Sequence, residues 1–151
     1  MAGRSHPLEE IAFINLQRTA DFHQQALAVL FKEHGLTPAQ YNVLRILRGA
    51  RKEGLPCGEV AARMITRDSD ITRLLDRMAA RDWVSRSREA KDRRVIRAHI
   101  TEAGLHLVNG LDKPVRDVLR HQFGRFGKQK LEQFIELLEE FRSMDAIDRE
   151  E

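Results

Sequence analysis

Arginine and lysine side chains crowd into one stretch in the middle of the sequence. Eleven of them lie between Arg63 and Arg97, and the same stretch holds six acidic residues, so its net charge is 11 − 6 = +5. The 151-residue chain as a whole carries only +3, which leaves −2 for the remainder. A concentrated positive patch attracts the phosphates of nucleic acid. Double-stranded DNA is therefore the first partner that the sequence predicts.

Residue patterns for catalysis or metal binding are missing from the sequence. It contains no G-x-S-x-G, P-loop, dinucleotide or H-E-x-x-H motif, so we expect neither an enzyme nor a cofactor. The six histidines show no spacing that fixes a metal, and we predict no metal site. No apolar run approaches the roughly 20 residues of a membrane helix, and the N-terminus lacks an apolar signal region. These features favour a cytoplasmic protein without a membrane partner.

The single cysteine, Cys57, excludes an internal disulfide and fits a reducing compartment. It stands at the start of a predicted short helix, whose dipole is expected to lower the pKa of the thiol. We interpret Cys57 as an ordinary residue of that helix. A redox role for Cys57 stays open as an alternative.

The N-terminal third of the sequence predicts two helices. Apolar residues recur at helical spacing from about Pro7 to His34, on more than one side of the helix, as expected of a helix with two packing neighbours. Gly35 ends this helix, and Thr37 is a natural N-cap for a second helix that runs to about Arg48. A polar connection then leads to a short helix that begins at Pro56.

A turn at residues 65–67 and a further helix complete a helix-turn-helix pattern. Asp68, Ser69 and Asp70 are expected in the first turn of that helix, where carboxylates suit the positive end of the helix dipole. Two strand-like segments, 83–87 and 95–100, follow and enclose a charged tip at residues 89–94. The apolar stripe that should bury the helix consists of Ile71, Leu74, Leu75 and Met78.

The C-terminal third is helical with an interruption. Thr101 opens a helix that reaches about Leu111, and Asp112 and Pro114 break or kink the pattern there. From residue 128 to residue 151 the last helix carries eight acids against four bases, so its exposed face is acidic. Its apolar stripe consists of Leu131, Phe134, Ile135, Leu138, Phe141 and Met144.

The segment TRLLDRMAARDWVSRSREAKDRRVIRAHITEAG, residues 72–104, resembles the MarR (multiple antibiotic resistance regulator) family almost position by position. Its sharpest motif is the tip Asp92-Arg93-Arg94 followed by a strand and residues 101–104. The resemblance covers nearly the full length and implies a mainly α fold with a small β-hairpin wing. It implies a single domain over residues 1–151, with a winged helix-turn-helix at 37–101 and dimerisation helices at 7–34 and 112–147.

The resemblance places the N-terminal part of the second helix in the major groove, where Arg67 or Arg73 is expected to bind guanine. Asp68 is expected to cap that helix and Asp70 to accept from cytosine N4. At the wing, Arg94 is expected to enter the minor groove while Asp92 holds its guanidinium. The remaining predicted DNA-binding residues, several of them phosphate contacts, are Ser69, Thr72, Arg77, Arg86, Arg88, Lys91 and Arg93.

Two basic residues near the end of this helix have an alternative to DNA. Arg77 could pair with acids on the face of Asp76, and Arg81 is expected to pair with Glu89. One position departs from the family pattern, which usually has Gly where this chain has Asp82. Asp tolerates left-handed dihedrals better than most residues, so the turn is expected to survive. The following residue is Trp83, in place of a smaller aliphatic one.

The resemblance further implies a homodimeric transcriptional regulator that binds a pseudo-palindromic operator. Members of the family typically repress and release DNA when a small, often aromatic and anionic effector binds. The residues that we assign to such an effector site are Phe13, Leu16, Arg18, His23 and Tyr41. Two alternatives stay open: a regulator switched by oxidation of Cys57, and a protein-interaction module that uses the acidic C-terminal helix without binding DNA.

Overall fold

A computed structural model of the chain describes residues 7–66, 70–89, 92 and 94–147. These residues form seven α-helices and a three-stranded sheet. In chain order the elements are α1 (Leu8–Glu33), α2 (Pro38–Ala50), β1 (Leu55–Pro56), α3 (Cys57–Arg63), α4 (Ile71–Ala79), β2 (Val84–Arg88), β3 (Ile96–Ile100), α5 (Glu102–Gly110), α6 (Asp112–Phe123) and α7 (Lys128–Ile147). Single 3-10 turns follow α2 and α6. This architecture confirms the predicted fold class.

The chain divides into two compact units, Met1–Val115 and Arg116–Glu151. The first unit contains the predicted winged helix-turn-helix. Its core is a continuous apolar cluster supplied by α2, α3, α4, the sheet and α5. The largest fully buried side chains of this core are Leu44, Leu47, Leu74, Leu75, Met78 and Leu111.

Local capping fixes where two helices of the first unit begin. At α2, Thr37 Oγ1 accepts from the Gln40 amide at 3.2 Å, and Gln40 Oε1 accepts from the Thr37 amide at 2.9 Å. This reciprocal pair is a capping box, and it confirms the predicted N-cap at Thr37. At α5, Thr101 accepts from the Gly104 amide at 3.0 Å. Both caps are set by residues three positions apart, which is why the sequence predicts them.

The sheet is antiparallel with strand order β1-β3-β2. β2 and β3 form the predicted hairpin, with Val84 opposite Ile100 and Arg88 opposite Ile96. The strand β1 was not predicted, because its residues were expected to lie in a polar connection. It pairs Leu55 with Ala98 of β3, a partner more than 40 residues away that no local pattern reveals.

The terminal helices are largely exposed. In α1, Phe31 alone among the 26 residues is fully buried, and Phe13 and Phe22 are largely exposed. In the second unit, the rings of Phe126 and Phe134 meet edge to face at 6.1 Å between their centroids. α7 nevertheless exposes Ile135, Leu137, Phe141 and Met144. Among the residues described, no helix combines the length and the apolarity that a membrane span requires.

Candidate nucleic-acid interface

The turn before α4 is anchored to α2. The backbone N–H of Ile65 donates to Asn42 Oδ1 at 2.8 Å, which holds the end of the α3 segment against the middle of α2. This role of Asn42 does not follow from the sequence, because an asparagine within a helix carries no sign that its side-chain amide binds a turn 23 residues away. Arg67, Asp68 and Ser69 lie outside the described residues, so their predicted roles stay predictions.

Asp70 is the N-cap of α4. Its side chain caps the helix by accepting from the Arg73 amide at 3.1 Å, and its second oxygen lies 3.0 Å from Arg73 Nε. The expectation that Asp70 lies in the first turn is therefore wrong, since Asp70 is the N-cap and α4 begins at Ile71. The same expectation for Asp68 and Ser69 falls outside the described residues. In this structure the carboxylate of Asp70 is engaged by its own helix, so the expected contact with cytosine requires it to leave Arg73.

Three of the four residues of the predicted apolar stripe of α4 are buried and Ile71 is half-buried, so the opposite face of the helix points outward. Leu74, Leu75 and Met78 are at most 1% exposed. Thr72, Arg73 and Arg77 are exposed, and the side chain of Arg73 is 83% exposed despite its contact with Asp70. These are the side chains that α4 can present to base edges in a major groove.

The end of α4 is a Schellman motif built on Asp82. Asp82 has φ 56°, its N–H donates to the Ala79 carbonyl at 2.9 Å, and the Trp83 N–H donates to the Met78 carbonyl at 3.0 Å. Left-handed dihedrals at this position were the expectation for Asp82, and they are confirmed. The turn directs the chain from α4 into β2 and so sets where the wing starts.

The tip of the wing is held by backbone hydrogen bonds. Asp92 Oδ1 accepts from the backbone N–H of Arg94 at 2.9 Å, and the Asp92 carbonyl accepts from Val95 at 3.0 Å. Asp92 thus binds the main chain at Arg94, and its expected contact with the Arg94 guanidinium in a DNA complex stays a prediction. The Arg94 residue itself is exposed. Lys91 and Arg93 lie outside the described residues.

Other charged side chains of this region also have partners within the chain. Arg86 forms an ion pair with Asp76 of α4, which braces the wing against the helix, and its expected phosphate contact stays a prediction. Glu89 Oε2 lies 3.6 Å from Arg97 Nε. The expected ion pair of Arg81 with Glu89 is not found among the residues that the structure describes. Arg88, at the end of β2, is exposed as predicted. Ion-pair partners that are eight or ten residues apart depend on the folded geometry, which the charge pattern does not encode.

This geometry is shared with known proteins. The MarR family model matches residues 34–95. The HTH-type transcriptional regulator YpoP of Bacillus subtilis is 34% identical over 113 residues, which are 72% of this chain and 74% of that protein. The crystal structure of a MarR transcription factor from Planctomyces limnophilus is 36% identical, covers 90% of this chain and 98% of that chain, and has a TM-score of 0.69. The chain belongs to the MarR family.

A third relative is named for its regulatory role. The homoprotocatechuate degradative operon repressor of Escherichia coli is 29% identical over 112 residues, which are 74% of each chain. The winged helix-turn-helix and these relatives together identify this MarR protein as a DNA-binding transcriptional regulator. In its first unit α4 is the recognition helix and the β2–β3 hairpin is the wing.

Cys57 of this MarR protein does not have the electrostatics of a reactive thiol. It lies half-buried at the start of α3. Desolvation by burial raises the pKa of the thiol, and the nearby Arg86 guanidinium offsets only part of that increase. The pKa of this thiol is thus raised above its ordinary value, and not lowered as expected from its place at a helix start.

The residues assigned to an effector site lie in different environments. Phe13, Leu16 and Arg18 are exposed along α1, whereas His23 is half-buried. Tyr41 is buried, with its ring stacked on Phe31 at 4.3 Å between centroids, and burial raises the pKa of its phenol. One cavity of about 680 Å³ lies elsewhere in the first unit and is lined by Gly49, Ala50, Lys52, Glu53, Gly54, Leu55 and Arg63.

Among the residues that the structure describes, no group of three or more histidine, cysteine or acidic side chains is placed to hold a metal ion.

Proposed function

We propose that the protein is a cytoplasmic repressor that binds a pseudo-palindromic operator as a homodimer and releases it in response to a small molecule. The observation that carries this proposal is the exposed face of α4 beside the exposed wing tip. Together they present Arg73, Arg77, Arg88 and Arg94 from one compact unit. Arginine at a helix face and at a hairpin tip suits simultaneous contact with a major groove and the adjacent minor groove.

Dimerisation is supported by the apolar surface of the terminal helices. Residues 7–34 and 112–147 are the proposed dimer segments, and residues 37–101 the proposed DNA-binding region. Side chains such as Phe13, Phe22 and Phe141 are more than 60% exposed in the single chain. Burying each such side chain contributes about 1.5–3 kcal/mol, which favours a second copy as the cover. A two-fold axis then sets two recognition helices about 34 Å apart, one turn of DNA.

The repressor role is proposed from the relative in Escherichia coli that is named as an operon repressor. An effector of aromatic or anionic character suits the exposed Phe13, Leu16 and Arg18 of α1. Within the dimer we assign the effector to these residues together with His23 and the polar end of Tyr41.

Titration against a duplex at several salt concentrations tests the DNA-binding proposal. With 6–10 phosphate contacts per dimer, affinity should fall roughly 10³–10⁵-fold between about 50 and 200 mM salt, because bound cations displace condensed counterions. The duplex is selected beforehand from random sequence by the purified protein. A dissociation constant that does not change with salt would contradict the proposed interface.

A further inference from the structure

One side chain connects the C-terminal end of the recognition helix with the C-terminal end of α1. Arg81 Nη1 donates to the carbonyl oxygen of Gly35 at 2.6 Å. The guanidinium carbon of Arg81 lies 4.0 Å from the centre of the Trp83 ring. Gly35 follows His34, the C-cap residue of α1, and has a left-handed conformation with φ 69°. The cation therefore contacts a carbonyl just beyond the C-terminal end of α1 and the electron-rich face of an indole at the same time.

The groups on either side of this guanidinium are held in place. The N–H of Gly35 donates to the Lys32 carbonyl at 3.0 Å, and its φ of 69° is a conformation that favours glycine. Trp83 is buried. Its backbone N–H donates to the Met78 carbonyl, and its own carbonyl accepts from the backbone N–H of Thr101. A Cβ at Gly104 would lie 2.1 Å from that same carbonyl, so α5 also packs tightly on Trp83. Arg81 thus contacts two groups, the Gly35 carbonyl and the Trp83 ring, that other parts of the fold hold in position.

We propose that Arg81 is a positioning residue that transmits the placement of α1 to the recognition helix, and so sets the separation of the two recognition helices in the dimer. This inference rests on the proposed dimeric DNA binding. α1 carries exposed apolar residues of the proposed dimer contact, whereas α4 carries the residues that read bases. Arg81 follows Arg73 by eight residues, or roughly 12 Å along a helix at 1.5 Å per residue, so it acts without touching those bases.

The test measures how strongly DNA binding depends on the distance between half-sites. Wild type and Arg81→Met are titrated at fixed salt against the selected operator and against versions with one base pair inserted or removed at its centre. Methionine keeps a flexible side chain that packs on Trp83 but cannot donate to Gly35. We expect the preference of wild type for one spacing to fall about five- to tenfold in the variant, a factor typical of coupled sites.

The matched control is Arg77→Met, the same substitution on the exposed face of the same helix. It should weaken all spacings alike and reduce the salt dependence of binding, because Arg77 faces the DNA. Arg81→Met should leave the salt dependence unchanged, because Arg81 contacts no phosphate in this assignment. A reduced salt dependence in Arg81→Met, or an unchanged spacing preference, overturns the proposal.

Trp83 supplies a second readout, because it is the only tryptophan of the chain. Its fluorescence should change when wild type binds its operator, and that change should be absent in Arg81→Met.

Thermal unfolding establishes whether the variant folds. If Arg81→Met does not fold, Arg81→Lys, which keeps the charge, takes its place. It should show a spacing preference between those of wild type and of a protein without this contact. A preference equal to that of wild type overturns the proposal. A wild-type protein without DNA binding or spacing preference refutes the proposed dimeric function, whereas discrimination retained in the variants refutes only the role of Arg81.

Discussion

The recognition helix and the terminal helices differ in how far their apolar side chains are buried within the single chain. α4 has nine residues, and its Leu74, Leu75 and Met78 are almost completely buried within a single chain. α1 and α7 are 26 and 20 residues long, yet they leave large apolar side chains such as Phe22 and Phe141 exposed. The reading surface is thus supported by a core within the first unit, whereas the terminal helices leave apolar side chains uncovered, and these are the ones that the proposed dimer would bury. Substitutions in the two regions should therefore have different effects.

The largest effect is expected from a charge placed on the exposed apolar face of α7. Phe141→Asp should convert the dimer to monomers, since removing one buried apolar side chain from each protomer costs about 3–6 kcal/mol, twice the ~1.5–3 kcal/mol of a single burial. Phe141 is a better site than the half-buried Leu138, because a change at Leu138 also disturbs the second unit itself. Sedimentation velocity at micromolar protein gives the mass, and operator titration gives the loss of affinity.

The control is Gln133→Asp, which adds the same charge at an exposed polar position of α7 and should leave the dimer intact. A wild-type protein that sediments as a folded monomer at the same concentration would break the comparison, because the exposed faces would then need no partner.

A smaller effect separates the two parts of the reading surface. Arg73→Ala removes a side chain that faces base edges, so its loss of about 1–3 kcal/mol should concentrate at one base pair per half-site. Arg94→Ala removes a minor-groove contact that depends on groove width, so it should weaken most A·T-flanked sites alike. Binding curves on single-base operator variants at fixed salt distinguish the two patterns, and both variants should keep the wild-type melting temperature.

Equal weakening of every sequence by Arg73→Ala would make Arg73 a phosphate contact. Wild-type affinity in Arg94→Ala would remove the wing from the interface and leave α4 as the whole of the reading surface.

The turn between the two parts of the reading surface gives a third prediction, of about 1 kcal/mol. Asp82→Ala should destabilise the fold by about that amount or more, because alanine tolerates the left-handed φ of 56° less well than aspartate. Asp82→Gly should be neutral or stabilising, since glycine adopts this conformation freely. Thermal unfolding of the two variants against wild type measures the difference. Equal melting temperatures for both would show that the Schellman motif adds no strain.

The smallest effect concerns Cys57. Because burial raises the pKa of this thiol, alkylation by iodoacetamide should increase with pH along a curve displaced above that of a free cysteine, and it should be slow at neutral pH. Cys57→Ser provides the blank, since the chain has no other cysteine. Rapid alkylation near pH 7, together with loss of operator binding after peroxide, would restore the redox alternative.

Most elements of the first unit follow from local sequence rules. The caps at Thr37 and Thr101 depend on residues three positions away, and the left-handed Asp82 depends on its place directly after a helix. The two-residue strand β1 does not follow from such rules, because its only described partner in the sheet is β3, more than 40 residues later. The start of α4 was displaced because Asp68 and Asp70 are both good caps, and the sequence offered no means of choosing between them.

The sequence by itself determined the helical periodicity, the hairpin with its charged tip, and the concentration of positive charge that marks a DNA-binding surface. Only the tertiary structure decided which of those charges are available. It joins Arg86 to Asp76, Arg81 to Gly35 and Trp83, and Asp92 to the backbone of Arg94. The physical reason is range: capping and periodicity act within about four residues, whereas an ion pair or a cation–π contact is made by whichever groups the folded chain brings within a few ångströms.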